Sequence, residues 1–213
     1  MAALRFALIT EADARRLEPG STVELEPGGR VTPLAADTLR ARRVTVVPSG
    51  SIDPELPADL GPVAPVVRVA IGSDHTGVAL KTVLVTHLRQ SGRIVEDLGT
   101  HSTEPVDYPD VAAAVATVVA RREADAGIVI DGAGLGSALA ANKVRGIRAA
   151  MCTTPTLARY ARQHNGANVL ALGATLLEPG EATEIVDVWV STPMTEARYL
   201  RRLLKIRRLE ERF

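Results

Sequence analysis

The stretch DGAGLGSALAANK, residues 131–143, sets a carboxylate ahead of three alternating glycines and then an Ala-rich segment of helical composition. The apolar run Ala126 to Ile130 precedes it and reads as a buried strand. A strand, a glycine loop and a helix start make an anion cradle, because backbone N–H groups and the helix dipole both favour negative charge. Yet Asp131 stands at the mouth of that cradle. Two roles fit a carboxylate there: a general base beside a developing oxyanion, or a cap that merely closes the turn.

Other residues could join it. The apolar run at 66–72 ends in Ser73-Asp74-His75, and Arg198 and Arg202 are spaced to share one helix face, which suits a phosphate. The same arginines belong to a run with Arg201, Lys205, Arg207 and Arg208, so a solvated basic face is the rival reading. No His, Cys and carboxylate grouping has ligand spacing, so no metal is expected. Cys152 is the single cysteine, which excludes an internal disulfide; it reads as a small buried apolar residue. His87 and His101 have no motif partner and read as surface residues.

These groups need a scaffold, and the chain after residue 66 supplies one. Strands are expected at 66–74, 94–99, 126–131, 147–152 and 167–173. Helices are expected at 77–92, 108–123, 135–143, 154–165 and 179–190, with a basic final helix beyond. Apolar strands alternating with helices of 3.6 spacing imply a parallel sheet covered on both faces, with ligands beyond the carboxyl ends of the strands. That places Ser73-Asp74-His75, Asp131 with its loop, and the loop after Cys152 on one edge.

The 213 residues carry 25 Lys+Arg against 25 Asp+Glu, so no global charge argues for nucleic acid or membrane. No apolar run reaches bilayer length and no secretory signal pattern opens the chain, so a cytoplasmic protein is expected. Residues 48–66, rich in Pro and Gly, read as a linker between a small module at 1–47 and a domain at 67–213. In the module, a strand leads to a helix capped by Thr10. A second strand turns at Pro27-Gly28-Gly29, and a helix follows, capped by Thr32 with Pro33 at its first position.

Four segments now resemble one family. IGSDHTGVALK (71–81), DLGTHSTEPVDYPD (97–110), GIVIDGAGLGSALAANKVRGIRAAMC (127–152) and ARQHNGANVLALG (161–173) are similar to type-B ribose-5-phosphate isomerases, the family that includes galactose-6-phosphate isomerase. The likeness spans about residues 67–205. It implies a flavodoxin-like α/β/α sandwich with a five-stranded parallel sheet, built as a homodimer or dimer of dimers with shared active sites. It implies an aldose–ketose isomerase acting on ribose 5-phosphate, or a related aldose phosphate, through an enediolate and without a cofactor. Carried over by position, Asp131 is the base, His164 opens the sugar ring, and Asp74 partners the ring oxygen. His75, Arg198 and Arg202 hold phosphate, with the arginines reaching a neighbour's site. Backbone amides of Gly132, Gly134, Leu135 and Gly136 hold the enediolate oxygens, and Tyr108 and Asn165 line the sugar.

Two departures stand out. Many members carry cysteine where this chain has Asp131, and threonine, for proton relay, where it has Ala133; Ser137 is the nearest candidate for the missing hydroxyl. A desolvated carboxylate can serve as base. If it does not, the alternative is a sugar-phosphate-binding or scaffold protein without turnover. The N-terminal module, through its ITEAD and VTPLA patterns, resembles leader segments of bacterial-microcompartment enzymes, which implies shell or cargo partners. A dimer-stabilising extension without address function is the other reading.

Overall fold

The computed structural model describes residues 4–48, 60–194 and 196–213. Most of the expected linker, residues 49–59, lies outside the described residues. Its last part is packed against the larger unit. Leu60 and Val66 are buried, and the Val63 carbonyl accepts a hydrogen bond from Arg162 Nη2 at 2.7 Å.

The first unit alternates β1 (Arg5–Ile9), α1 (Glu11–Arg16), β2 (Thr22–Val31), α2 (Pro33–Ala41) and β3 (Thr45–Pro48). Its three strands pair in parallel in the order β1-β2-β3. Thr10 and Asp13 form the capping box that starts α1, and Thr32 caps α2 with Pro33 in the first turn. Ile9, Ala14, Leu17, Val23, Ala35, Leu39 and Val44 close a core of their own. The expected turn at Pro27-Gly28-Gly29 is instead an irregularity inside β2. Pairing with β1 jumps from Leu25 opposite Phe6 to Arg30 opposite Leu8, because Pro27 cannot donate and the extra residues loop out of the ladder.

The second unit holds β4 (Arg68–Ser73), α3 (Val78–Gln90), β5 (Ile94–Asp97), α4 (Tyr108–Ala120), β6 (Ala126–Asp131), α5 (Leu135–Ala141), β7 (Ala149–Met151), α6 (Pro155–Asn165), β8 (Val169–Gly173), α7 (Pro179–Ser191) and α8 (Ala197–Glu210). All five strands are parallel, in the order β5-β4-β6-β8-β7. Leu80, Leu84 and Leu88 of α3 and Ile185, Val186 and Trp189 of α7 fill one face of this sheet. Ala112, Val115 and Val119 of α4 and Ala141 of α5 fill the other. Each large aliphatic side chain so buried contributes roughly 1.5–3 kcal/mol. The α/β/α sandwich is the expected one. Numbered within the unit, its strand order is 2-1-3-5-4, so the last two positions are exchanged relative to the flavodoxin order.

Candidate active site

β4 and β6 lie side by side, and the chain leaves them in opposite directions, toward β5 from one and toward β8 and β7 from the other. Their carboxyl ends therefore flank a topological switch point, where open α/β sheets bind ligands. The Asp74 amide donates across this point to the Ile130 carbonyl at 3.0 Å.

On the β4 side, Asp74 caps a 3-10 turn at His75–Gly77. Its Oδ1 accepts from Thr76 N at 2.9 Å, Thr76 Oγ1 at 2.6 Å and Gly77 N at 3.2 Å. His75 Nδ1 accepts from the Val106 amide at 3.3 Å, so the neutral ring carries its proton on Nε2 and can donate from there.

On the β6 side, Asp131 is 5% exposed and fills the loop's own cradle. Its Oδ1 accepts from Ala133 N at 2.8 Å and from Gly134 N, and its Oδ2 from Ser137 N at 2.7 Å. The anion held by the glycine loop is thus the loop's own carboxylate. The Gly134 amide, expected to face substrate, is taken by Asp131. Gly134 has φ +76°, a left-handed turn that turns β6 into α5. With about two lone pairs per oxygen, Oδ1 is filled and Oδ2 keeps one free.

Tyr108, at the start of α4, lies on the same loop. A Cβ at Gly136 would come within 2.6 Å of its ring, so the phenol packs directly on the Gly136 backbone. The segment that brings Tyr108 here is stitched to β4. Lys81, 1% exposed, meets Asp97 Oδ1 at 2.5 Å, and that oxygen also accepts from Gly99 N at 3.0 Å. Gly99 O and Thr100 N then bond to Ser73 at 2.7 Å each. Ser137 is only 2% exposed, which removes it from the surface where a relay hydroxyl would work.

His164 belongs to a different group. Its ring stacks on Tyr160 with centroids 4.7 Å apart and meets the Tyr199 ring at 4.6 Å, tilted by 37°. Arg198 lies 4.7 Å and Arg202 5.6 Å from the centre of the Tyr199 ring, and Arg198 donates to its hydroxyl at 2.8 Å. Asn165 ends α6 beside them and is exposed. This group sits where α6 hands over to β8, at the amino-terminal edge of the sheet. The five residues of β8 separate it from the Asp131 edge by on the order of 15 Å. One chain therefore assembles Asp74, His75, Tyr108 and Asp131, and separately His164, Asn165, Arg198 and Arg202.

Sequence reasoning missed what supports these groups. Arg162 is fully buried, donates to Ala167 O at 2.8 Å and Val63 O at 2.7 Å, and lies 4.8 Å over the Trp189 ring. Burial pushes its guanidinium down to about 10, with Arg148 adding repulsion, so it remains a cation at neutral pH. An arginine in a helix's last turn normally reads as exposed, and only its three partners mark it as an anchor for α6. Cys152 is buried, and burial alone raises its thiol to about 11, as an inert core residue requires. Among the described residues no group of His, Cys, Asp and Glu could hold a metal, and no helix is long and apolar enough to cross a membrane.

Residues 69–206 match the family model described as Ribose/Galactose Isomerase. The chain is 43% identical over 145 residues to ribose-5-phosphate isomerase B of Escherichia coli, covering 68% of this chain and 97% of that one. Among solved structures, the Clostridium thermocellum ribose-5-phosphate isomerase B superposes with a TM-score of 0.68 at 46% identity, covering 68% of this chain and 99% of that one. The Mycoplasma genitalium ribose-5-phosphate isomerase B, solved with bound ribulose-5-phosphate, gives 0.66 at 39% identity, covering 69% and 98%. With the family model matched over residues 69–206 and these relatives covered almost end to end, the chain belongs to the ribose/galactose isomerase family.

Proposed function

We propose that this protein interconverts ribose 5-phosphate and ribulose 5-phosphate, or a closely related aldose–ketose phosphate pair, by proton transfer through an enediolate. The observation that carries the reading is the meeting of Asp74-His75 with the Asp131 loop at the β4/β6 switch point of a family member. In this scheme Asp131 Oδ2, with its free lone pair, takes the C2 hydrogen. The open amides of the glycine loop carry the developing oxyanion, Asp74 addresses the ring oxygen, and His75 donates from Nε2 to phosphate. The electron pair stays within the sugar, so the reaction needs no redox cofactor.

His164, Asn165, Arg198 and Arg202 serve a second copy of the chain. Their place on the opposite sheet edge supports a homodimer, or dimer of dimers, in which each site takes one edge from each protomer. Exposed Leu135 and Leu139 on α5 and Leu157 and Tyr160 on α6, 47–67% accessible in the single chain, offer the apolar surface such a contact would cover. The first unit acts as an address module that directs the isomerase from the cytoplasm to a protein-shelled microcompartment. Its closed core and separate sheet support a transferable role.

Proton NMR with ribose 5-phosphate in D₂O, chelator present, tests the activity. Ribulose 5-phosphate carrying solvent deuterium is the expected product. Tight binding without conversion would leave a sugar-phosphate-binding protein in its place.

A further inference from the structure

Resting on the isomerase reading, we propose that Thr76 supplies the hydroxyl that moves the proton between the sugar's O1 and O2. Ala133 leaves its position in the glycine loop without a hydroxyl, and four serine or threonine hydroxyls lie around that loop. Ser137 is 2% exposed on the buried face of α5. Ser73 is fully buried, its Oγ has no hydrogen-bond partner among the described residues, and its Cβ lies against Gly77. Thr175 gives its hydroxyl proton to the Gly132 carbonyl at 2.6 Å.

Thr76 and Thr175 are the exposed pair; Thr76 follows β4, on the switch-point side of the loop, whereas Thr175 follows β8 on the far side. A Cβ built on Gly132 would have Thr76 Oγ1, 3.8 Å away, as its one neighbour within 4 Å. Its proton points to Asp74 Oδ1 at 2.6 Å, which fixes the rotor and leaves the oxygen's lone pairs for another donor. The hydroxyl is therefore held by the Asp74 carboxylate and adjoins Gly132, the residue that follows the base.

The step balances without a further reactant. After Asp131 takes the C2 hydrogen, the C2–H electron pair becomes the C1–C2 double bond and O1 becomes an oxyanion. Thr76 Oγ accepts the proton of the O2 hydroxyl while its own proton passes to O1. One O–H bond breaks and one forms at Thr76, which ends unchanged and bonds again to Asp74. Return of the proton from Asp131 to C1 then completes oxidation at C2 and reduction at C1.

The test compares wild type, Thr76→Val and Thr76→Ser for two rates in D₂O: deuterium entry at C2 of recovered ribose 5-phosphate, and formation of ribulose 5-phosphate. Valine keeps the shape and removes the hydroxyl. Product formation is expected to fall about 100-fold in Thr76→Val, while C2 exchange falls at least tenfold less, so the exchange-to-product ratio rises. Thr76→Ser should return both rates to within a few-fold of wild type. A proportional fall of both rates, or no fall, overturns the relay and leaves the isomerase reading intact. A wild type that neither exchanges nor converts overturns both.

Discussion

At the scale of single residues, Asp131 holds two jobs that pull against each other. It completes the loop by accepting three amide hydrogens, and as base it needs a lone pair for carbon-bound hydrogen. Asp131→Asn separates the two. The amide cannot take a proton, and its Nδ2 would confront either the Ser137 N–H or the two donors on Oδ1. Turnover is expected to fall by about 10²–10⁴-fold, and stability by roughly 1–3 kcal/mol from the unsatisfied donors. Ribitol 5-phosphate, which cannot isomerise, should still bind within about tenfold of wild type. Single-turnover kinetics, denaturant titration and calorimetry read the three quantities, and an undiminished kcat would remove Asp131 as base. The sequence made the carboxylate visible but not its partners, because a loop's amide directions depend on φ values that a residue string does not carry.

Among the elements, periodicity and capping chemistry were legible, and pairing was not. Strand β6 has the expected bounds, and α1, α2 and α6 begin at the threonines that cap them. By contrast β3 passed unnoticed, being four residues beside a Pro-rich stretch, and Pro27-Gly29 looked like a turn because a wide irregularity uses the same residue types. The exchange of β7 and β8 in the sheet depends on contacts across the fold, to which local pattern is blind. The first unit's complete βαβαβ core gives the address reading a direct measurement. A fluorescent protein carrying residues 1–48 is expected to co-purify with microcompartment shells, whereas one carrying residues 60–213 is not. Equal recovery of the two would reduce the unit to an extension.

Over the whole molecule, the residues that the family resemblance singles out fall into two camps on opposite edges of one sheet. Nothing in their sequence order announces this, since His164 precedes β8 by only a few residues. The arrangement also explains why α6 is so firmly held. Arg162 ties it to Ala167, just ahead of β8, and to the last part of the Pro-rich stretch, and Tyr160 and Tyr199 clasp the imidazole from two helices. A group that serves a neighbour must keep its geometry without help from its own chain's cleft. In the proposed dimer, burial of Leu135, Leu139 and Tyr160 would link assembly to activity.

Opposite-edge placement has a genetic corollary. Two inactive alleles, Asp131→Asn and His164→Gln, should rescue one another. In a mixed dimer one pocket inherits both lesions and the other inherits neither. Random exchange of equal amounts makes about half the dimers mixed, each with one working pocket, so about one quarter of wild-type activity should reappear from two dead preparations. If both residues served the same chain's pocket, every pocket in the mixture would stay broken and no activity would return.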